Sequence, residues 1–150
     1  MVKILIINGP NLNALGLRNP LFYGSKTLKE LNNSIKKTIS ANKNVKIKFY
    51  QSNSEGNILD RLQKLDYDAV AINPGGLTHT SVCIADCLEM INKIKVEVHL
   101  SNIYERAEDF RKINFIKNVV NASFFGKKEQ SYIDAINYII DRINKIENKE

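Results

Sequence analysis

His79 and His99 are the only histidines in a chain of 150 residues, and each falls where an apolar run gives way to polar sequence. Imidazole is the side chain best suited to exchanging protons near neutral pH. Glu97 precedes His99 by two positions, so in a strand the two share a face while Val96, Val98 and Leu100 take the other. A carboxylate there needs a partner. Orienting the His99 ring supplies one, and pairing with a lysine at a sheet edge is the plainer alternative. Arg18 and Tyr23 form a second pair. Tyrosine ordinarily titrates at about 10, so a tyrosine base working near neutrality needs a close cation and about 3 kcal/mol of differential interaction from it. Composition alone allows equally a tyrosine that only packs and an arginine that only binds an anion.

Ser101 and Asn102 follow His99 directly. A hydroxyl with backbone N–H groups at the start of a loop makes a carboxylate cradle, and turn formation explains the same pair as well. Asn73 and His79 bracket a Pro-Gly-Gly turn within DAVAINPGGLTHTSVCIAD, Asp68 to Asp86. The run up to Asn73 reads as a buried strand, the glycines as a loop that lets backbone approach another segment, and Thr80 onward as a helix. In open α/β sheets ligands bind at the carboxyl ends of strands, where this loop lies.

Five apolar runs position these residues: Val2 to Asn8, Val45 to Gln51, Asp68 to Asn73, Lys95 to Leu100 and Val119 to Phe125. Helical patterns separate them. Leu28, Leu31, Ile35 and Ile39 mark a helix from Thr27 to about Ala41, opened by a T-x-x-E capping box of Thr27 and Glu30. Ile58, Leu59, Leu62 and Leu65 mark the next, and Ile133, Ile136, Ile140 and Ile143 mark the last, from about Glu129 to Ile146. A short charged helical segment spans Glu105 to Arg111. Strands alternating with helices predict parallel βαβ units and a flavodoxin-like, three-layer α/β sandwich in one domain, with a five-stranded sheet ordered 2-1-3-4-5. The loops after strands one and three then flank the topological switch point. The first of these, Gly9 to Ser25, is about seventeen residues long, well beyond the usual few. With Arg18 and Tyr23 between Gly16 and Gly24, it reads as a lid over a ligand.

Hydrophobic residues make up 43% and charged residues 25%, which excludes a disordered chain. No apolar run is long enough to span a bilayer, and MVKILIIN enters a strand directly, so a cytoplasmic protein is expected. The net charge of +6 comes largely from lysines scattered along helices and the C-terminal tail, without a basic stripe interleaved with aromatics, so nucleic acid is not the expected partner. Cys83 and Cys87 lie four apart on one helix and read as small packed side chains; with two histidines and no cluster beside them, no metal site is expected. A phosphate-binding G-x-x-x-x-G-K-[ST] loop and a dinucleotide G-x-G-x-x-G after the first strand are both missing.

Taken together, NGPNLNALGLRNPLFYG, QSNSEG, INPGGLTHTSVCIAD, EVHLSNIYER and a following Phe-Arg resemble type II 3-dehydroquinate dehydratase, colinearly from the first strand to about Arg111. The resemblance implies a cofactor-independent enzyme of the shikimate pathway that removes water from 3-dehydroquinate through an enolate to give 3-dehydroshikimate. It implies Tyr23 as base with Arg18 beside it, Asn11 positioning a water at the enolate oxygen, and His99 as acid oriented by Glu97. Asn73, His79 and Arg111 would hold the ring hydroxyls, and Ser101 with the backbone around Leu100 the carboxylate. Asp86 would reach in from a neighbouring subunit, implying trimers assembled into dodecamers. Two positions depart from the family pattern. Ser54 stands where His is usual, and Arg106 and Arg111 are one residue further apart than in Arg-x-x-Phe-Arg. An extra residue turns a helix by about 100°, so either the loop absorbs it and Arg111 faces the substrate, or Arg106 takes its place. A non-catalytic sensor of a polyhydroxylated carboxylate would keep Asn73, His79 and Ser101 but has no use for Arg18 and Tyr23 on a lid.

Overall fold

In the computed structural model, which describes residues 1–148, the first apolar run forms β1 (Val2–Asn8), hydrogen-bonded in parallel to β2 (Val45–Gln51) on one side and β3 (Ala69–Asn73) on the other. β4 (Ile94–His99) pairs with β3, and β5 (Ala122–Phe125) with β4, so the sheet order is β2-β1-β3-β4-β5, as the alternation of elements predicts. The switch point lies between β1 and β3.

Alternation along each strand sends successive side chains to opposite faces. Ile4, Ile6, Ala71, Val96 and Val98 pack beneath α2 (Leu28–Ile39) and α5 (Glu129–Glu147), meeting Leu31, Ile35, Tyr132 and Ile136. Leu5, Ile7, Val70 and Ile72 pack beneath α3 (Glu55–Gln63) and α4 (Val82–Met90), meeting Ile58, Leu62, Ile84 and Leu88. No helix of the described residues is long and apolar enough to cross a membrane. The Thr27 and Glu30 capping box closes in both directions at the start of α2. Ser54 is the N-cap of α3, accepting the Asn57 N–H at 3.3 Å, so its hydroxyl supports that helix.

Four details correct the sequence reading. β5 starts at Ala122, because Val119 belongs to a turn closed by its own N–H on the Ile116 carbonyl, and Val119 and Val120 pack on the α3 and α4 side. The Gly9 to Ser25 segment is not irregular throughout: it carries a 3-10 turn at Leu12–Ala14 and a one-turn helix α1 (Pro20–Tyr23), whose Asn19 side chain caps the Leu21 N–H. The charged stretch is two 3-10 turns, Ile103–Glu105 and Asp109–Lys112, with Arg106 extended between them. Cys87 is buried and Cys83 exposed, so the two do not share a packed face.

Candidate active site

The floor of the site is built where the loops after β1 and β3 press backbone on backbone. A Cβ on Gly9 would lie 2.4 Å from the Pro74 carbonyl oxygen, and one on Gly75, at φ +60°, would lie 2.8 Å from that of Pro10. The Gly9 N–H donates to the Asn73 carbonyl at 2.7 Å. Below this seam, Asn8 and Asn73 stand side by side in register on β1 and β3. Tyr132 of α5 links them: its hydroxyl accepts from Asn73 Nδ2 at 2.8 Å and donates to Asn8 Oδ1 at 2.6 Å. Burial holds the Tyr132 hydroxyl far above the ordinary tyrosine range, so it remains a donor. Asn73 Oδ1 accepts the Gly75 N–H, which fixes the amide at the cavity wall. The QSNSEG motif serves the neighbouring loop, since Asn53 Oδ1 accepts from the Asn11 N–H and from Gln51 Nε2.

Above the floor lies a small cavity of about 50 Å³. His99, at the end of β4, faces it with its Nε2 turned back to Glu97 Oε1 at 2.5 Å. Glu97 is completely buried, and its partners are His99, Asn114 at 2.7 Å and Ser123 at 2.8 Å, not a lysine at a sheet edge. Burial pushes this carboxyl up. The His99 hydrogen bond and charge, with the Ser123 and Asn114 donors, outweigh burial and hold it below the usual carboxylate range. His79 lies on the adjacent wall and its Nδ1 contacts the Ile113 carbonyl at 2.6 Å, which requires the proton on Nδ1 and turns Nε2 into an acceptor when the ring is neutral. Burial, opposed by that carbonyl, lowers its affinity for a second proton, and the nearby His99 and Arg111 lower it further.

The Gly9 to Ser25 segment brings Tyr23 to the cavity between two guanidinium groups. Arg18 lies over the ring face, 3.7 Å from the centroid, and Arg106 Nη1 donates to the hydroxyl at 3.1 Å. Arg106 also stacks on Phe22, 3.9 Å from its centroid. Arg111 also lines the cavity and is held by Glu108 at 3.2 Å, so the extra residue in this segment leaves both arginines in the cavity wall.

Leu100 and Ser101 complete the wall beside His99, whereas the Asn102 side chain is occupied in capping the Tyr104 N–H. Besides Glu97, which stands behind His99, two residues given roles from the sequence lie outside this wall. Asn11 is an exposed residue in a left-handed turn (φ 69°) next to Leu12, and Asp86 lies on the exposed face of α4. Among the described residues, no three His, Cys, Asp or Glu side chains are grouped to hold a metal ion. Tyr132, Asn114 and Ser123 escaped the sequence reading because each acts through a partner remote in sequence. Arg106 had a visible signal, its place in YER, but the contact with Tyr23 spans 83 positions.

The family described as dehydroquinase class II matches residues 2–140. Relatives named 3-dehydroquinate dehydratase from Francisella tularensis subsp. novicida and subsp. tularensis are each 49% identical over 142 residues, covering 92% of this chain and 97% of theirs. Among solved structures, type II dehydroquinase from Butyrivibrio crossotus superimposes with a TM-score of 0.87 at 42% identity, covering 92% of this chain and 97% of its own. That from Propionibacterium acnes gives 0.86 at 30% identity, covering 92% and 95%. With the family match over residues 2–140 and relatives 49% identical, the chain belongs to the class II dehydroquinase family.

Proposed function

We propose that the chain catalyses the cofactor-independent anti elimination of water from 3-dehydroquinate to give 3-dehydroshikimate. The observation that carries this reading is a tyrosine hydroxyl flanked by two guanidinium groups in one cavity with a histidine backed by a buried carboxylate. One group suits proton removal and the other proton delivery.

In this reading Tyr23, as phenolate, takes the proton from the carbon next to the ketone, and the electron pair moves into an enolate. Arg18 and Arg106 stabilise the charge on the Tyr23 oxygen before transfer, each from its own direction. Asn11 positions a water at the enolate oxygen. The enolate then collapses, the C–O bond to the departing hydroxyl breaks, and His99 protonates that oxygen so that it leaves as water. Glu97 orients the His99 ring and balances its charge. Asn73, His79 and Arg111 hold the ring hydroxyls, and Ser101 with the Leu100 backbone binds the carboxylate. Asp86, exposed on its own protomer, approaches the cavity of a neighbour within a trimer, and trimers assemble into a dodecamer.

The test is direct. Chelator-treated protein mixed with 3-dehydroquinate is expected to produce the ultraviolet absorbance of the conjugated enone, and borohydride is expected not to block it. Tyr23→Phe is expected to abolish the rise while still binding a dehydroquinate analogue. A folded protein giving no rise overturns the reading.

A further inference from the structure

Adjacent residues of the segment after Asp109–Lys112 reach both cavity histidines, His79 directly and His99 through Glu97. The Ile113 carbonyl fixes His79 Nδ1, and Asn114 Nδ2 donates to Glu97 Oε1 at 2.7 Å. The Asn114 amide is saturated. Its Oδ1 accepts the backbone N–H groups of Ile116 (3.0 Å) and Lys117 (3.1 Å), and its Nδ2 donates to Glu97 and to the Tyr104 hydroxyl (3.1 Å). Two backbone donors on the carbonyl end forbid the flipped amide, so the N–H end must face the carboxylate. From the other side Ser123, paired with Glu97 in the register of β4 and β5, donates to Oε2 at 2.8 Å.

We propose that Asn114, assisted by Ser123, is a positioning residue for proton delivery by His99: it holds the Glu97 carboxylate ionised and in one orientation against His99 Nε2. The kinetic consequence rests on the dehydratase reading, whereas the effect on Glu97 rests on the geometry alone. The titratable groups around this carboxylate are His99 on β4, His79 after β3 and Tyr104, whose hydroxyl accepts from Asn114 Nδ2. The cavity wall beyond them carries Arg106, Arg111, Arg18 and Tyr23. None of the described residues in the cavity wall is itself a carboxylate. The position next to Glu97 therefore decides whether its charge is reinforced or opposed. Asn114 does not border the cavity, so its loss has no direct route to substrate affinity.

Asn114→Asp tests this while keeping an acceptor for Ile116 and Lys117, because only the donor is exchanged for a second carboxylate oxygen. Two carboxylates in contact share a proton. The carboxyl carbon resonance of Glu97, followed by NMR without substrate, is expected to titrate at higher pH than in the unaltered protein. The kcat is expected to fall about tenfold or more, with KM within about twofold, reflecting the loss of one hydrogen bond to a charged group. Ser123→Ala, which leaves the 108–116 segment untouched, is expected to move both readouts the same way by less. An unchanged Glu97 titration in both variants overturns the proposal, as does a rise in KM at constant kcat. Absence of turnover in the unaltered protein counts against the dehydratase reading only, and the Glu97 titration then decides alone.

Discussion

Arg106 and Tyr23 meet directly, guanidinium to hydroxyl at 3.1 Å, while Arg18 occupies the face of the same ring. An N–H donor in line with the oxygen stabilises negative charge there more effectively than a cation above the ring, because the hydrogen bond adds to the charge. Arg106→Ala is therefore expected to lower kcat by about 10- to 100-fold, the range for losing a hydrogen bond to a charged group. Arg18→Ala is expected to cost less. Steady-state kinetics on both variants decide this, and a larger loss for Arg18 would reverse the assignment.

Arg111 stands apart from Tyr23, and its only ion pair among the described residues is with Glu108. Its expected role is to bind substrate, so Arg111→Ala should raise KM by about tenfold or more with a smaller change in kcat. Isothermal titration with a dehydroquinate analogue provides the independent check.

Glu97 links the site to acid stability. Despite burial, the hydrogen bond and charge of His99, with Ser123 and Asn114, keep its carboxyl below the ordinary value of 4.5. A group whose folded value is depressed stabilises the fold above its unfolded value, and that contribution is lost as pH falls below it. The thermal midpoint should therefore drop as pH is lowered below about 4.5. In Glu97→Gln the drop over that window should be shallower, and parallel profiles would remove Glu97 as a source of the pH dependence.

The backbone seam under the cavity leaves no room for a methyl group at Gly9, 2.4 Å from the Pro74 oxygen. Gly9→Ala must part the two loops, at a cost of about 1–3 kcal/mol for overpacking. Chemical denaturation should show the loss. Gly76→Ala makes the control, because a Cβ there meets nothing within 4 Å.

Strand count, sheet order and the two histidines were legible because buried parallel strands leave apolar runs and because the switch point concentrates polar residues at two loops. Glu97 on the His99 face followed from period-two alternation alone. The start of β5 was not legible: Val119 and Val120 are as apolar as strand residues, and only pairing with β4 distinguishes them. The turn of α1 was legible in Asn19-Pro20, a capping residue followed by proline, but the length of the segment masked it. Asn114 left no signal, since an Asn in a polar segment is ordinary until its four hydrogen bonds are placed in space.

Tyr132 fastens β1, β3 and α5 together through one hydroxyl beneath the floor, whereas the lid is tied across the cavity through the exposed side of Tyr23. The two halves of the site therefore come apart at very different free energies. Amides of Asn8 and Asn73 are expected to exchange with solvent far more slowly than those of the Pro20–Tyr23 turn. Substrate entry is therefore expected to involve the Pro20–Tyr23 wall, over a floor that holds its shape.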